Sequence, residues 1–415
     1  MKRQLSLELL RIFAMFLIVC HHFAVHGAIH AGKISELLQN SFLKIIWVQF
    51  LASGGKLGVN LFVLITGFFL IKRPPKPSSL VKLYVTTATF SLSIYFIFFL
   101  WGKIDFSFSD GIDNLFPIST GRYWFITCYA VLFLLAPFLG LSLRKIYSIQ
   151  DPVFQNTPPH PIIPYSFDNI RIKLKECLKN IFLFQWFFKY EPSLIEKRGF
   201  IIGLSLNIIL TILFSLLPFF VLKGRWPSFY VNDLVWFVVL FCWASFFSYF
   251  SISIYKKSFY VLIFCILFLF TRITYLDILL LKGKVSGIDW LFSSSQISTL
   301  ILFISLWIFL YFKDLSLGDH LVVKKMITFF ASATLGVYLI HDNNYVRGII
   351  WSSIFDTKKH FYSDSFLLWS IYVILIVYFS CTILDRFVAF FERPLFEVIS
   401  QKMSKVDQTF KEIFK

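Results

Sequence analysis

Residues 5–25, LSLELLRIFAMFLIVCHHFAV, are an apolar run long enough to cross a hydrocarbon core of about 30 Å, and they carry Arg11 and His22 inside it. Ionisable side chains are costly in lipid, so their presence in such a run marks a functional site by default. Eleven residues at about 100° each make three turns plus about 20°, so a helix sets both side chains on one stripe, about 16 Å apart. His21 points about 100° away from that stripe. Glu8 stands three residues before Arg11, close enough to orient its guanidinium or to neutralise its charge.

The rest of the chain matches this first segment. It has 415 residues, 57% hydrophobic and 20% aromatic, with only 15% charged. No solvated globular surface is built from that composition. Apolar runs near 5–24, 54–71, 83–101, 123–141, 199–222, 232–250, 259–276, 297–312, 326–345 and 366–390 predict an all-α polytopic membrane protein with about ten transmembrane helices. An even number puts both termini on one side. With that side taken as cytoplasmic, the inner loops and tails hold about 27 of the 40 Lys and Arg, as the positive-inside rule requires. The net charge of +17 is then largely a topology signal, and no nucleic-acid partner is expected.

Of the six cysteines, Cys20, Cys128, Cys242, Cys265 and Cys381 lie in apolar runs and Cys177 in an inner loop, so all six are expected to be free thiols. That loop, 145–198, is an insert within a single membrane-embedded domain spanning 1–415. It opens with Pro152, Pro158, Pro159, Pro161 and Pro164, which exclude regular helix. Beyond Asp168, apolar Ile170, Leu174, Leu178, Ile181 and Phe182 alternate with Arg171, Lys173, Lys175 and Lys179 as in an amphipathic helix on the inner leaflet. His22, His26 and His30 recur every four residues, but no neighbouring Cys or carboxylate in the sequence completes a ligand set, and Gly27 and Gly32 read as a frayed helix end. No metal is expected.

Several further segments, in order, carry a resemblance. The Arg-ten-residues-His spacing is followed by GVNLFVLITGFFL (58–70), with Thr66 where Ser is usual, then YWFITCYAVLFLLAPFL (123–139), NDLVWF (232–237), LGVYLIH (335–341) and FERP (391–394). Together they resemble the integral membrane acyltransferases of the acyltransferase-3 family. The resemblance implies transfer of an acyl group, most often acetyl, from cytoplasmic acyl-CoA to a hydroxyl of a cell-surface polysaccharide or lipid-linked glycan across the plasma membrane. Acyl-CoA would be a donor substrate, with no bound cofactor. A transporter with an intramembrane His/Arg pathway is the competing reading, although no internal repeat supports it.

On the enzymatic reading, Arg11 holds a donor phosphate in its guanidinium fork. His22, about 16 Å deeper, stands at the thioester end of an extended pantetheine arm and acts as general base or as nucleophile. Glu8 orients Arg11. Lys72, Arg73, Lys76 and Lys82 follow the second run and would form a funnel for CoA phosphates. Trp124, Asn232, Asp233 and His341 fall near outer ends of spans and would line the sugar site.

Overall fold

A computed structural model of the chain describes residues 4–29, 37, 38, 41–149, 188–190, 196–216, 233–254, 259–284, 298–318 and 320–414. Each of the ten apolar runs lies, over its described residues, largely on a helix. In chain order these elements are α1 (Leu5–His22, continued by a π-helical turn over Phe23–Ala28), α2 (Phe42–Leu70), α3 (Pro77–Leu100), the short α4 (Phe108–Leu115), α5 (Trp124–Tyr147), β1 (Phe188–Lys189), α6 (Lys197–Thr211, with a π turn over Ile212–Leu216) and α7 (Asp233–Tyr249). They continue as β2 (Ser253–Ile254), α8 (Phe259–Leu281), α9 (Thr299–Asp314), α10 (Leu321–His341), α11 (Asn344–Gly348, then a π turn over Ile349–Ile354), α12 (Thr357–Phe361), α13 (Phe366–Lys402) and α14 (Ser404–Ile413).

Among the described residues, eight of these helices are long and apolar enough to cross a membrane. The remaining two predicted spans are α7 and α9, which are apolar but shorter, at 17 and 16 residues. The protein is an all-α polytopic membrane protein. Among the described residues, the only strands are β1 and β2, which form a two-residue antiparallel pairing. The amphipathic helix expected near 168–182, and Cys177, lie outside the described residues. The other five cysteines are free thiols.

The bundle is organised around α2, whose apolar window is 78% buried, whereas that of α8 is 11% buried and faces lipid. What admits α1 against α2 is a set of small residues, the usual device where lipid offers no hydrophobic drive for association. A methyl group at Gly58 would stand 2.5 Å from the Ala14 carbonyl oxygen, and one at Gly55 would collide with the His21 side chain. This packing corrects the sequence reading, which starts the second span at residue 54. Gly54, Gly55 and Lys56 look like a break, but the helix begins at Phe42 because its glycines are contact surface. Gly27 does not end α1 either, since a π turn carries the helix to Ala28.

Two further contacts place the functional elements. Phe23, which opens the π turn after α1, packs its ring against Trp351, Phe366 and Trp369, at centroid distances of 5.8, 6.1 and 6.0 Å. The C-terminal end of α10 is tied to the start of α5 by Tyr123, whose hydroxyl donates to the Leu339 carbonyl (3.0 Å) and accepts from Asn343 Nδ2 (2.8 Å). These ties bring the ends of α1 and α10 to one level of the bundle.

Candidate active site

Where α1 and α10 end together, His22 and His341 meet. Both rings are buried, His341 completely. His22 Nδ1 lies 2.8 Å from His341 Nε2, and His341 Nδ1 lies 2.5 Å from the backbone carbonyl of Val337, one turn back on its own helix. On the opposite edge, His22 Nε2 faces Asp342 Oδ1 at 3.6 Å. Asp342 stands just beyond the end of α10, and burial pushes its carboxyl up to about 6 although the Arg347 guanidinium pulls the other way. Arg347 Nη1 donates to Asp342 Oδ1 (3.2 Å) and to His26 Nε2 (3.3 Å), while its Nη2 donates to Asn344 Oδ1 (2.6 Å). Asn343 caps α11 by accepting from the Tyr345 amide at 2.9 Å, which turns the chain so that Arg347 reaches back over the cluster.

The neighbouring His21 is spent elsewhere. Its Nδ1 lies 2.5 Å from the Ala52 carbonyl, so its proton serves the contact between α1 and α2. One stripe of α1 therefore carries a histidine set among charged partners, and the next position carries a packing histidine.

At the other end of the stripe, Arg11 Nη1 donates to both Glu8 carboxylate oxygens at 3.3 Å, and the Arg11 side chain keeps 36% of its surface exposed. Gln4 Nε2 donates to the Lys313 carbonyl at the end of α9, and burial, with the Lys313 ammonium nearby, lowers the pKa of Lys72. Two neighbouring ammonium groups suit an anionic ligand. Arg73 and Lys76 are exposed. Lys82, in contrast, donates to Ser400 Oγ at 2.5 Å and lies over the Phe396 ring, so α13 already engages it.

A family model for an acyltransferase domain, of the acyltransferase-3 type, matches residues 4–385, nearly the whole chain and all of the histidine cluster. The chain belongs to the acyltransferase-3 family. No curated protein and no solved structure shows a significant match. The protein is therefore a membrane acyltransferase, and the transporter reading falls away.

The acyltransferase brings together some of the residues read from its sequence and leaves others apart. Arg11, Glu8 and His22 share α1 as expected, but His341 bonds to His22, where the sequence reading has it lining a sugar site. Trp124 is exposed and meets Phe125 edge-on and Phe237 at a tilt, whereas its neighbour Tyr123 is the one that reaches the cluster. Asp233 opens α7, and Asn232 lies outside the described residues. Sequence reasoning missed Asp342, Arg347, Asn343 and Tyr123. The available signal was the polar run His341-Asp342-Asn343-Asn344 closing an apolar span.

The structure also supplies the carboxylate that the histidine repeat lacks in sequence. One atom each of His22, His26 and Asp342 lies within 4.8 Å of the others, a spacing that would fit a metal ion. Arg347 competes with such an ion. Its Nη1 is hydrogen-bonded to the same Asp342 oxygen and His26 nitrogen that would be ligands, so a guanidinium already supplies the positive charge there. His30 lies outside the described residues.

Proposed function

We propose that the acyltransferase moves an acetyl group from acyl-CoA, bound at the Arg11 end, to a hydroxyl of a cell-surface polysaccharide or lipid-linked glycan at the His22 end. On this reading it lies in the plasma membrane with both termini cytoplasmic. The observation that carries the proposal is the single stripe of α1. It has a half-exposed guanidinium at one end and, about 16 Å along, a buried histidine with an unbonded ring nitrogen facing a carboxylate.

The chemistry follows from those groups. The acceptor hydroxyl attacks the thioester carbonyl while His22 Nε2 takes its proton. Asp342 stabilises the resulting imidazolium across 3.6 Å, and Arg347 keeps that carboxylate in place. The tetrahedral adduct then expels the CoA sulfur, which receives the proton from His22, so the ester forms, the thioester breaks and no net proton is released. Arg11 binds donor phosphate through its planar fork, with Lys72, Arg73 and Lys76 attracting the nucleotide end and Glu8 orienting the guanidinium.

The test is acetyl-CoA labelled in its acyl group, supplied to inverted and right-side-out vesicles carrying glycan acceptors. Incorporation is expected only where the donor meets the Arg11 end. It should vanish in His22→Ala and persist in His21→Ala at equal abundance. Arg11→Lys should lose less donor affinity than Arg11→Ala, because it keeps charge but not the fork. Equal activity of His22→Ala and the parent would overturn the assignment.

A further inference from the structure

The two histidines form a chain with only one consistent placement of protons. A backbone carbonyl can accept but never donate, so at 2.5 Å from the Val337 oxygen it is His341 Nδ1 that carries the hydrogen. A neutral imidazole has one N–H. His341 Nε2 is therefore an acceptor, and the group that donates to it across 2.8 Å is His22 Nδ1. That leaves His22 Nε2 without a hydrogen. The 3.6 Å gap from Nε2 to Asp342 Oδ1 agrees, being too long for a hydrogen bond and natural for two acceptors that face each other. A doubly protonated His341 would reverse the sequence, but its ring is fully buried, where a second proton is costly.

We infer that His341 is a positioning residue for His22: its ring fixes the neutral tautomer in which His22 holds its proton on Nδ1 and offers a bare Nε2 to the acceptor hydroxyl. The consequence for acyl transfer rests on His22 being the base, whereas the tautomer itself does not. His341 touches neither substrate and acts only through the orientation and protonation of its neighbour, as second partners of functional imidazoles commonly do. The final acceptor, the Val337 carbonyl, cannot take a proton. The proton gained by His22 therefore cannot pass beyond His341 and remains available for the departing sulfur.

The test uses the full-length protein labelled with [15N]histidine, with the His22 resonances assigned by their loss in His22→Ala. Near neutral pH, His22 is expected to show a protonated Nδ1 and an unprotonated Nε2, the opposite of the form free histidine prefers in water. His341→Gln, whose side-chain oxygen can accept in place of Nε2, should keep that spectrum and most of the activity. His341→Phe should shift the proton to Nε2 and lower kcat on the order of 10²-fold, with KM for acetyl-CoA unchanged. A parent spectrum with the proton on Nε2 overturns the inference, as does a His341→Phe variant with unaltered tautomer and kcat. If the parent shows the expected tautomer but His22→Ala still transfers acetyl, the positioning stands and the assignment of His22 as base falls.

Discussion

Asp342 is the residue on which the charge balance of the cluster turns. Its carboxyl is raised to about 6 by burial, with Arg347 holding it lower than burial alone would. Above that value it is ionised and stabilises a protonated His22, and below it the support is lost. Asp342→Asn should therefore lower kcat on the order of 10-fold to 100-fold at pH 8, and the ratio of parent to variant should fall towards one as the pH is taken down to 5. Rates for both proteins across that range provide the check, and a ratio independent of pH would remove Asp342 from the charge balance. Spacing alone reveals Arg11 and His22, because both lie on one helix and helical periodicity is local. Asp342 and Arg347 were not legible, since they meet His22 and His26 across more than 300 residues of chain. Nor could His341 be assigned its role. Its motif marks the position, but only the distance to His22 shows what the ring does there.

Among the elements, α1 acts as a spacer whose length and phase both matter. Its two functional side chains must share a stripe, and its packing against α2 leaves little freedom to re-phase, because Gly55 and Gly58 accept His21 and Ala14 at close range. Inserting one Ala between Phe16 and Leu17 rotates the far half by about 100° and lengthens the helix by about 1.5 Å. His21 would then fall eleven residues after Arg11, so the insertion belongs in a His21→Ala background. Acyl transfer is expected to drop to the level of His22→Ala, with abundance and membrane insertion measured alongside. A well-folded inserted variant with near-parental transfer would sink the shared-stripe mechanism. The start of α2 shows why element boundaries were less legible than elements. Glycine reads as a helix breaker when viewed along the chain, yet between two membrane helices it is what allows contact.

For the molecule as a whole, the two ends of the bundle differ in character. One holds Arg11, Lys72, Lys313 and Arg144. There α14 is strapped down by Asp407, which accepts from the Ser78 amide and hydroxyl at 2.9 and 2.6 Å, and by Arg144, which donates to the Phe414 and Ile71 carbonyls. The other holds the histidine cluster, with Trp101 and Trp124 exposed around it in the manner of an interfacial belt. Donor phosphates need the basic end and an external glycan needs the other, so the proposed reaction works only if the basic end faces the cytoplasm. A protein with its six native cysteines changed to Ser allows that orientation to be read with an impermeant thiol reagent. Asn156→Cys, in the insert that follows α5, should be labelled only after permeabilisation, and Ser286→Cys, beyond α8, before it. Reversed labelling would put Arg11 on the side without acyl-CoA and leave the histidine cluster facing the cell interior. The acyltransferase would then have to draw both substrates from one side, and the transfer across the membrane proposed for it would fail on geometry alone.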